Sequence, residues 1–485
     1  MEKCGSSKDK MLIKSYGGIG GLVTGSCHLL ESRRSRVVID CGLFQGPDEK
    51  VPQSERSRNL NSLSEIGKAS THMLITHAHI DHTGRVPAVY KEGFRPKLLA
   101  TETTVAFMSP LLRNSADIQK SQKEKDRLYN SYDVETTLRH VKGVQPFREI
   151  SVGQNNSNIT AEFLLNGHVE GASSIFIRNY NNYENILFTG DMGKPVQSLC
   201  GGYTDFMNRY PKEPVHTLMI ESTNFEKEPI GFEQKKEELL NTLQRVWDGG
   251  GNPLLPVLSF HRCQEIMEMI HNGQKNGSIP SDCQIIIDSP LAMEILDVYK
   301  KIGTECLSPR YGNNPRFYKT EKESLARFNL KKMTVVQSTE ESKLLDREMA
   351  NYKGKLIILA GGGMGSYGRS VNYLKGEFCK NPNNAVVYTC FQVKGTYGAN
   401  MLYKKNHLAE KMVGAQVYKI EGFTSHISGP DETFKFIERF NLEDLQTIII
   451  GHGNEASREK MEQEFIRRGY KTKIFKPIIG EQIIV

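Results

Sequence analysis

The sequence contains no hydrophobic run that approaches the roughly 18 residues needed to cross a bilayer. Met1 to Asp9 carries charges and a glycine instead of the apolar core of a secretory signal. Hydrophobic residues make up 38% of the 485 positions and charged residues 25%, as in an ordinary globular protein. We therefore expect a cytoplasmic protein of about two domains that makes no membrane contact.

Paired cysteine motifs are also missing. Nine cysteines are scattered from Cys4 to Cys390 without a CxxC spacing, which argues against both a disulfide framework and a zinc ribbon. The cluster Gly17–Gly21 does not match GxGxxG, so we do not predict a dinucleotide site there. The net charge of +7 is modest for this length and permits a polyanionic substrate without requiring one.

Histidine, in contrast, is concentrated in one place. Residues 76–82 read Thr-His-Ala-His-Ile-Asp-His, directly after the apolar run Met73–Ile75. We predict a strand that ends near Thr76, followed by a loop whose side chains can converge on one point. Ionisable groups at this density repel one another unless a cation neutralises them, and imidazoles with a carboxylate but no thiolate suit a hydrolytic zinc site. The predicted metal ligands on this loop are His77, His79, Asp81 and His82.

Two later polar residues also follow apolar runs that end in a glycine. His168 comes after Phe163–Leu165, and Asp191 comes after Ile186–Phe188. With these residues the sequence resembles the metallo-β-lactamase superfamily, whose HxHxDH loop, later lone histidine and TGD aspartate recur here. Asp40 looks like the early aspartate of that superfamily, which supports the metal loop rather than binding metal.

The chain changes character near residue 232, where glycine-rich β patterns give way to a helical pattern that ends at Gly249–Gly251. Strand-like and helix-like segments then alternate, which indicates an α/β unit. Lone histidines return after it, at His426 and His452, so we interpret the α/β unit as an insertion. We predict an α/β fold: the resemblance implies a metallo-β-lactamase αββα sandwich over residues 1–210 and 413–485, into which an α/β domain is inserted over residues 211–412.

The insertion and its flanks resemble the β-CASP subgroup, whose members act on nucleic acids. The segments that carry this resemblance are Ile220–Thr223, Phe260–Glu265, Asp288–Ala292 and Phe391–Thr396, together with His426 and His452. The resemblance implies two zinc ions: one held by His77, His79 and His168, the other by Asp81, His82 and His452, with Asp191 bridging them. It also implies catalytic roles for Asp81, Glu221 and His426, with His426 as a general acid that Glu221 orients.

A glycine-rich segment, residues 361–369, could bind phosphate through backbone N–H groups, although a plain turn is an alternative. Family members commonly have serine where this chain has Gly362, so a side-chain contact there is in doubt. We expect RNA in a cleft between the domains. The predicted RNA contacts are Arg262, Gly363, Ser366, Arg369 and Lys394.

The predicted function is that of a zinc-dependent ribonuclease, similar to bacterial β-CASP RNases and to the endonuclease subunit of pre-mRNA 3′-end processing. RNA is favoured over DNA because DNA-acting relatives usually lack a histidine where His452 stands. Endonucleolytic cutting is favoured because the chain ends soon after the metal domain. The alternatives are a 5′-3′ exoribonuclease, a metallo-hydrolase of a small molecule and a non-catalytic RNA-binding scaffold, and a homodimer is left open.

Overall fold

A computed structural model describes residues 10–32, 35–45, 55–61, 63–121, 123–124, 127–154, 158–305, 326–403 and 414–485. By their internal contacts, the residues form two compact units: Met1–Pro229 with Ser425–Val485, and Ile230–Thr424. Within the described ranges, we find no helix with the length and apolar character that a membrane span requires. The segment Met1–Asp9 lies outside the described residues.

The strands have the following bounds: β1 (Leu12–Gly17), β2 (Cys27–Ser32), β3 (Ser35–Ile39), β4 (His72–Leu74), β5 (Lys97–Thr101), β6 (Val141–Val144), β7 (Glu149–Val152), β8 (Ile159–Leu165), β9 (Ser173–Asn179), β10 (Glu184–Phe188), β11 (Thr217–Glu221), β12 (Pro253–Val257), β13 (Gln284–Asp288), β14 (Met333–Val335), β15 (Leu356–Gly361), β16 (Ala385–Tyr388), β17 (Gln416–Lys419), β18 (Thr447–Gly451), β19 (Lys473–Phe475) and β20 (Gln482–Ile484).

The α-helices have the following bounds: α1 (Glu55–Leu60), α2 (Leu63–Ala69), α3 (Ile80–Thr83), α4 (Val86–Lys91), α5 (Glu102–Lys120), α6 (Ser131–His140), α7 (Phe232–Asp248), α8 (Arg262–Asn276), α9 (Pro290–Glu305), α10 (Thr339–Met349), α11 (Ser370–Leu374), α12 (Tyr397–Tyr403), α13 (Gly429–Ile437) and α14 (Glu455–Arg467). Short 3-10 helices cover Tyr203–Asp205, Met207–Arg209 and Phe378–Lys380.

The first unit contains two seven-stranded sheets, ordered β20-β1-β2-β3-β4-β5-β6 and β19-β18-β11-β10-β9-β8-β7. Side chains alternate between the two faces of a strand, and β9 shows the consequence. Ile175 and Ile177 pack against residues of the first sheet, whereas Phe176 packs on the other face with Phe434 and Phe465 of α13 and α14. The two sheets therefore share one apolar layer, and helices cover the outer face of the second sheet.

Three parallel strands of the second sheet end at the same edge. In the paired register, Phe188 of β10 lies opposite Met219 of β11, and Glu221 at the end of β11 lies opposite Gly451 of β18. β18 is buried at all five positions, which explains why it reads as a continuous apolar run rather than an alternating one. The segments that follow β10 and β18 therefore leave the sheet next to Glu221.

The second unit is built on a parallel six-stranded sheet, ordered β14-β13-β15-β12-β16-β17. The predicted helix between Phe232 and Gly249 is confirmed as α7, which buries Leu239, Leu243 and Val246. The chain leaves central strand β12 for β13 on one side of the sheet and later adds β16 and β17 on the other side. β12 and β16 are thus neighbours whose onward connections run in opposite directions.

The bounds of the compact units differ from the predicted domain boundaries at residues 210/211 and 412/413. The predicted boundary at residues 210/211 placed β11 in the inserted domain. In the structure, β11 pairs with β10 on one side and β18 on the other, so its hydrogen bonds belong to the second sheet of the first unit.

The turn between α7 and β12 generates a stability prediction. A Cβ on Gly251 would lie 1.7 Å from the carbonyl oxygen of Asn383, whereas a Cβ on Gly249 would meet atoms only at 3.5 Å. We expect Gly251→Ala to lower the free energy of unfolding by about 1–3 kcal/mol through overpacking. The control Gly249→Ala should stay within about 0.5 kcal/mol of wild type. Trp247, the single tryptophan, reports urea unfolding of this unit by fluorescence; equal effects of the two variants would contradict the prediction.

Candidate active site

The predicted ligand side chains come together in the first unit, where loops leave the ends of strands in both sheets. Three of the histidines and Asp191 are almost fully buried. The motif after β4 differs in one detail from the predicted loop, since Asp81 and His82 lie in the single-turn helix α3. The side chains involved are His77, His79, Asp81, His82, His168, Asp191, Glu221, His426 and His452.

One group of ligand atoms consists of three imidazoles and one oxygen of Asp191. His79 Nδ1 lies 2.9 Å from His77 Nε2 and 3.3 Å from His168 Nε2. Asp191 Oδ2 lies 3.7 Å from His77 Nε2 and 3.6 Å from His168 Nε2. Each of the four residues thus offers one potential metal-ligand atom, and these atoms all lie within 4.8 Å of one another.

A second group faces the other oxygen of Asp191. His82 Nε2 lies 3.3 Å from His452 Nε2 and 3.4 Å from Asp191 Oδ1. Asp81 Oδ2 lies 4.0 Å from His452 Nε2 and completes this group. The membership of the two groups is that predicted for two metal ions, and Asp191 presents one oxygen to each group.

The donor set fits divalent cations. His168 Nδ1 and Asp191 Oδ1 are buried and have no hydrogen-bond partner among the described residues, although buried polar atoms are normally paired. Nitrogen lone pairs that face one another at about 3 Å also need an electrophile between them. Imidazole and carboxylate ligands without thiolate are the set that hydrolytic zinc sites use.

Burial and charge divide the histidines into two protonation classes. Burial lowers the pKa of His77 and His168 well below the usual range and lowers that of His79 to about 4, so these rings keep a free lone pair at neutral pH. Burial also opposes ionisation of Asp191, but the adjacent His452 and His82 hold its pKa well below the ordinary value. The buried carboxylate is therefore an anion.

Asp40 holds the motif loop from behind. Its carboxylate accepts hydrogen bonds from Thr76 N and Thr76 Oγ1, both at 2.8 Å, and lies 2.7 Å from His82 Nδ1. Because Nδ1 donates to Asp40, Nε2 of His82 is left to face the second group. Asp40 adopts a left-handed φ of 61°, which aspartate tolerates better than most residues. Asp40 therefore contacts the loop that it is predicted to support.

Glu221 and His426 form a separate dyad beside the first group. His426 Nδ1 lies 2.9 Å and 3.2 Å from the two Glu221 oxygens, while its Nε2 lies 3.7 Å from Asp191 Oδ2. Glu221 is fixed by the backbone N–H groups of Met192 and Thr223, at 2.7 Å and 3.0 Å. Burial disfavours the imidazolium, but Glu221 and Asp191 outweigh it and raise the pKa of His426 to about 9.

Sequence reasoning missed three residues that position these groups: Thr76, Asn166 and Thr223. Asn166 donates to the carbonyl oxygens of Thr189 and Asp191 at 3.1 Å and 2.9 Å, which ties the loop of His168 to that of Asp191. Thr223 Oγ1 donates to the His452 carbonyl and accepts from His452 Nδ1 at 3.0 Å. All three stand within two residues of a predicted site residue, and that adjacency was the available signal.

The predicted RNA contacts lie in the second unit, and the structure disfavours one of them. Arg262 is buried and paired with Glu265, so its guanidinium does not face solvent within this unit. Arg369 Nε lies 3.8 Å from buried Asp288, and Ser366 Oγ accepts a hydrogen bond from Tyr397 N. The last two pairings were invisible in the sequence because each joins segments that are distant along the chain.

Gly363 and Lys394 complete the set of predicted RNA contacts. The Gly363 carbonyl accepts a hydrogen bond from the Gln392 side chain at 2.9 Å, which joins the loops after β15 and β16. Lys394 is exposed on the second of these loops. The glycine-rich segment is therefore part of a packed pair of loops rather than an isolated turn.

Comparison with profiles of protein families identifies two domains in this chain. The profile of the metallo-beta-lactamase superfamily matches residues 20–222, and the profile of the Beta-Casp domain matches residues 263–401. The chain belongs to the metallo-beta-lactamase superfamily and carries a Beta-Casp domain. The predicted fold class is confirmed, and membership of this hydrolase superfamily implies that the His/Asp cluster binds divalent metal.

Several relatives match almost the whole chain. Ribonuclease TTHA0252 from Thermus thermophilus is 27% identical, over 96% of this chain and 97% of its own length. Transcription termination factor FttA from Methanocaldococcus jannaschii is 26% identical, over 96% of this chain and 70% of its own. A protein of unknown function from Enterococcus faecalis V583 shares the fold in its crystal structure, with a TM-score of 0.57 and 15% identity over 98% of this chain and all of its own.

The contacts of Asp40 generate the second prediction. Asp40→Asn replaces a buried acceptor of three hydrogen bonds with a group that can accept on only one side, so we expect a loss of about 1–3 kcal/mol in unfolding free energy. The control Asp117→Asn loses only an ion pair with exposed Lys120, so its free energy of unfolding should change by less than about 0.5 kcal/mol. Urea unfolding of metal-free protein followed by circular dichroism would contradict this if both variants behaved like wild type.

Proposed function

We propose that this protein is a ribonuclease that hydrolyses internal phosphodiester bonds of RNA with two zinc ions per chain. The observation that carries the proposal is the Glu221–His426 dyad, directed at the Asp191 carboxylate that the two ligand groups share. A hydrolase of small molecules has no evident need for this dyad or for a Beta-Casp domain. Relatives named as ribonucleases over nearly the full chain support RNA as the substrate.

The two ligand groups support a two-metal centre. Zinc bound there would supply Lewis-acid chemistry, lowering the pKa of the attacking water and stabilising charge on the phosphoryl group. His77, His79 and His168 would hold one ion, and Asp81, His82 and His452 the other, while the oxygens of Asp191 face one group each. Asp40 and Thr223 fix the ring orientations of His82 and His452 through their Nδ1 atoms.

Proton transfers fall to the more exposed side chains of the site. His426 delivers a proton from Nε2 to the leaving ribose oxygen, because Glu221 occupies its Nδ1 and the ring retains 19% of its exposure. Asp81, at 22% exposure against 3% for Asp191, is the carboxylate available to accept a proton from the attacking water. Glu221 orients His426 and stabilises its cationic form.

The finer features of the proposal rest on the family resemblance. RNA rather than DNA follows from the presence of His452, and endonucleolytic cutting remains a prediction, as do a cytoplasmic location and a homodimer. A circular RNA separates the two modes of cutting, because it has no end for an exonuclease to use. Linear products from circular RNA support endonucleolysis, whereas degradation of linear RNA alone supports the exonuclease alternative.

The dyad generates the third prediction. His426→Ala should keep about two zinc ions per chain, measured by mass spectrometry, yet cut RNA roughly 10²–10⁴-fold more slowly, because the leaving oxygen loses its proton donor. His271→Ala is the matched control, since that histidine lies on α8 and bonds only the Asn329 carbonyl among its described hydrogen bonds. A wild-type cleavage rate in His426→Ala would contradict the role of His426 as the proton donor.

The ligand groups generate the fourth prediction. Removal of metal by a chelator should abolish RNA cleavage and lower the thermal unfolding midpoint, and zinc should restore both. At a free zinc concentration of 100 times Kd, the native state gains about 2.7 kcal/mol. His168→Ala should lower zinc content by about one ion per chain while His271→Ala leaves it unchanged. Cleavage that survives complete removal of metal would overturn the two-metal proposal.

A further inference from the structure

The carboxyl edge of the parallel sheet in the second unit displays large apolar side chains to solvent. Phe391, three residues after β16, is 60% exposed, and Leu258, directly after β12, is 43% exposed. Tyr367, in the loop after β15, is 76% exposed. Because β15, β12 and β16 are consecutive in the sheet and parallel, all three residues lie at one edge.

The exposure of Phe391 is imposed by a rigid loop. Its neighbours Cys390 and Gln392 are buried at 5% and 2% exposure. The Gln392 amide donates to the carbonyls of Gly363 and Cys390 at 2.9 Å and 3.2 Å, and the Cys390 thiol donates to Gly363 O at 3.2 Å. With both flanking side chains anchored inward, the ring of Phe391 is held outward, where it leaves apolar surface in water.

Tyr367 is displayed by an equally constrained turn. A Cβ on Gly362 would lie 2.0 Å from the Tyr367 carbonyl oxygen, so this close approach requires glycine. Gly362 N donates to Val257 O at 3.1 Å, which joins the turn to the end of β12, and Gly398 N donates to Met364 O at 3.0 Å. The loops after β12, β15 and β16 therefore form one packed surface.

The position of this surface in the sheet is one where ligands commonly bind. In open α/β sheets, ligands bind outside the carboxyl ends of strands where adjacent connections run in opposite directions, and β12 and β16 meet that condition. Phe391 and Leu258 follow these two strands. Lys394 is exposed three residues beyond Phe391, so a cation lies on the same loop as the aromatic ring.

We infer that this surface is a nucleobase-binding subsite in which Phe391 stacks on an unpaired base of an RNA strand, with Tyr367 as a second stacking ring. An aromatic ring next to a lysine suits a base and its phosphate, because every base has a π-face and every nucleotide a negative charge. The inference deepens the proposed ribonuclease function and rests on it for the identity of the ligand.

The test measures binding without cleavage. Full-length protein with His426→Ala is titrated by fluorescence anisotropy into a labelled oligouridylate, and into copies that each lack one base but retain the ribose and phosphate. Adding Phe391→Ala should raise Kd roughly 5- to 150-fold for intact RNA, the range for loss of one stacked base. Phe391→Trp should bind within about threefold of the parent, since its ring also stacks. Tyr367→Ala should weaken binding in the same direction.

Matched controls make the result specific. Tyr132→Ala removes an exposed aromatic ring, 73% exposed, from the first unit and should leave Kd unchanged. Removing the stacked base should cost the parent as much affinity as Phe391→Ala does, and the combination should cost no more than either change alone. Equal loss by Phe391→Ala on intact and base-deleted RNA would overturn stacking, as would parent-like binding by Phe391→Ala or no RNA binding by the parent protein.

Failure of the two proposals is distinguishable. If the stacking pattern is found but zinc-loaded wild type cuts neither linear nor circular RNA, the ribonuclease proposal fails while the base subsite stands. If wild type cuts RNA and Phe391→Ala binds like the parent, the ribonuclease proposal stands and the base subsite fails.

Discussion

The active site depends on three parallel strands that end together at one edge of the second sheet. β10, β11 and β18 are paired in register, and the residues that follow them include Asp191 and His452 on either side of Glu221. The first sheet contributes the motif after β4 through hydrogen bonds between the sheets, in which Ser173 N donates to the Thr76 carbonyl at 2.9 Å. A register slip of one residue in β11 or β18 would turn Glu221 or its neighbours to the other face and separate the dyad from the ligand groups.

Electrostatics sets opposite requirements on neighbouring histidines. A metal ligand must offer a lone pair, and burial holds the proposed ligands His77, His79 and His168 neutral, which leaves them one. His426, the proposed general acid, must carry a proton, and Glu221 secures this despite the same burial. His82 meets both requirements only in part: it faces a ligand group, but Asp191 and Asp40 outweigh its burial and raise its pKa well above the ordinary value. Its second proton would occupy Nε2, the atom that faces the second ligand group.

The sequence was most informative about the candidate metal site, where several residues of a restricted type lie close together along the chain. The four candidate ligands in His77–His82 and an apolar run before each later candidate indicated a metal site, and the family resemblance they carry implied the fold class and the two ligand groups. Pairings between distant segments were not predictable. Burial was not predictable either. Glu265 lies one helical turn from Arg262, and only the structure shows that this ion pair is buried rather than on the surface. The pairing of β11 with β18 joins residues more than 200 positions apart, so local patterns in the sequence could not show which strands β11 pairs with.

Close backbone approach explains why glycines accompany the ligands. A Cβ on Gly42 would lie 1.5 Å from the Asp81 carbonyl oxygen, and one on Gly193 would lie 2.0 Å from the Gly167 carbonyl carbon. The first contact packs α3 against the segment after Asp40. The second packs the loop of His168 against Gly193, which forms an isolated β-bridge with His426. No side chain, however small, fits between these backbones without moving a predicted ligand. The ligand loops are therefore located by packed main chain, and the side chains add hydrogen bonds to a geometry that the backbone already fixes.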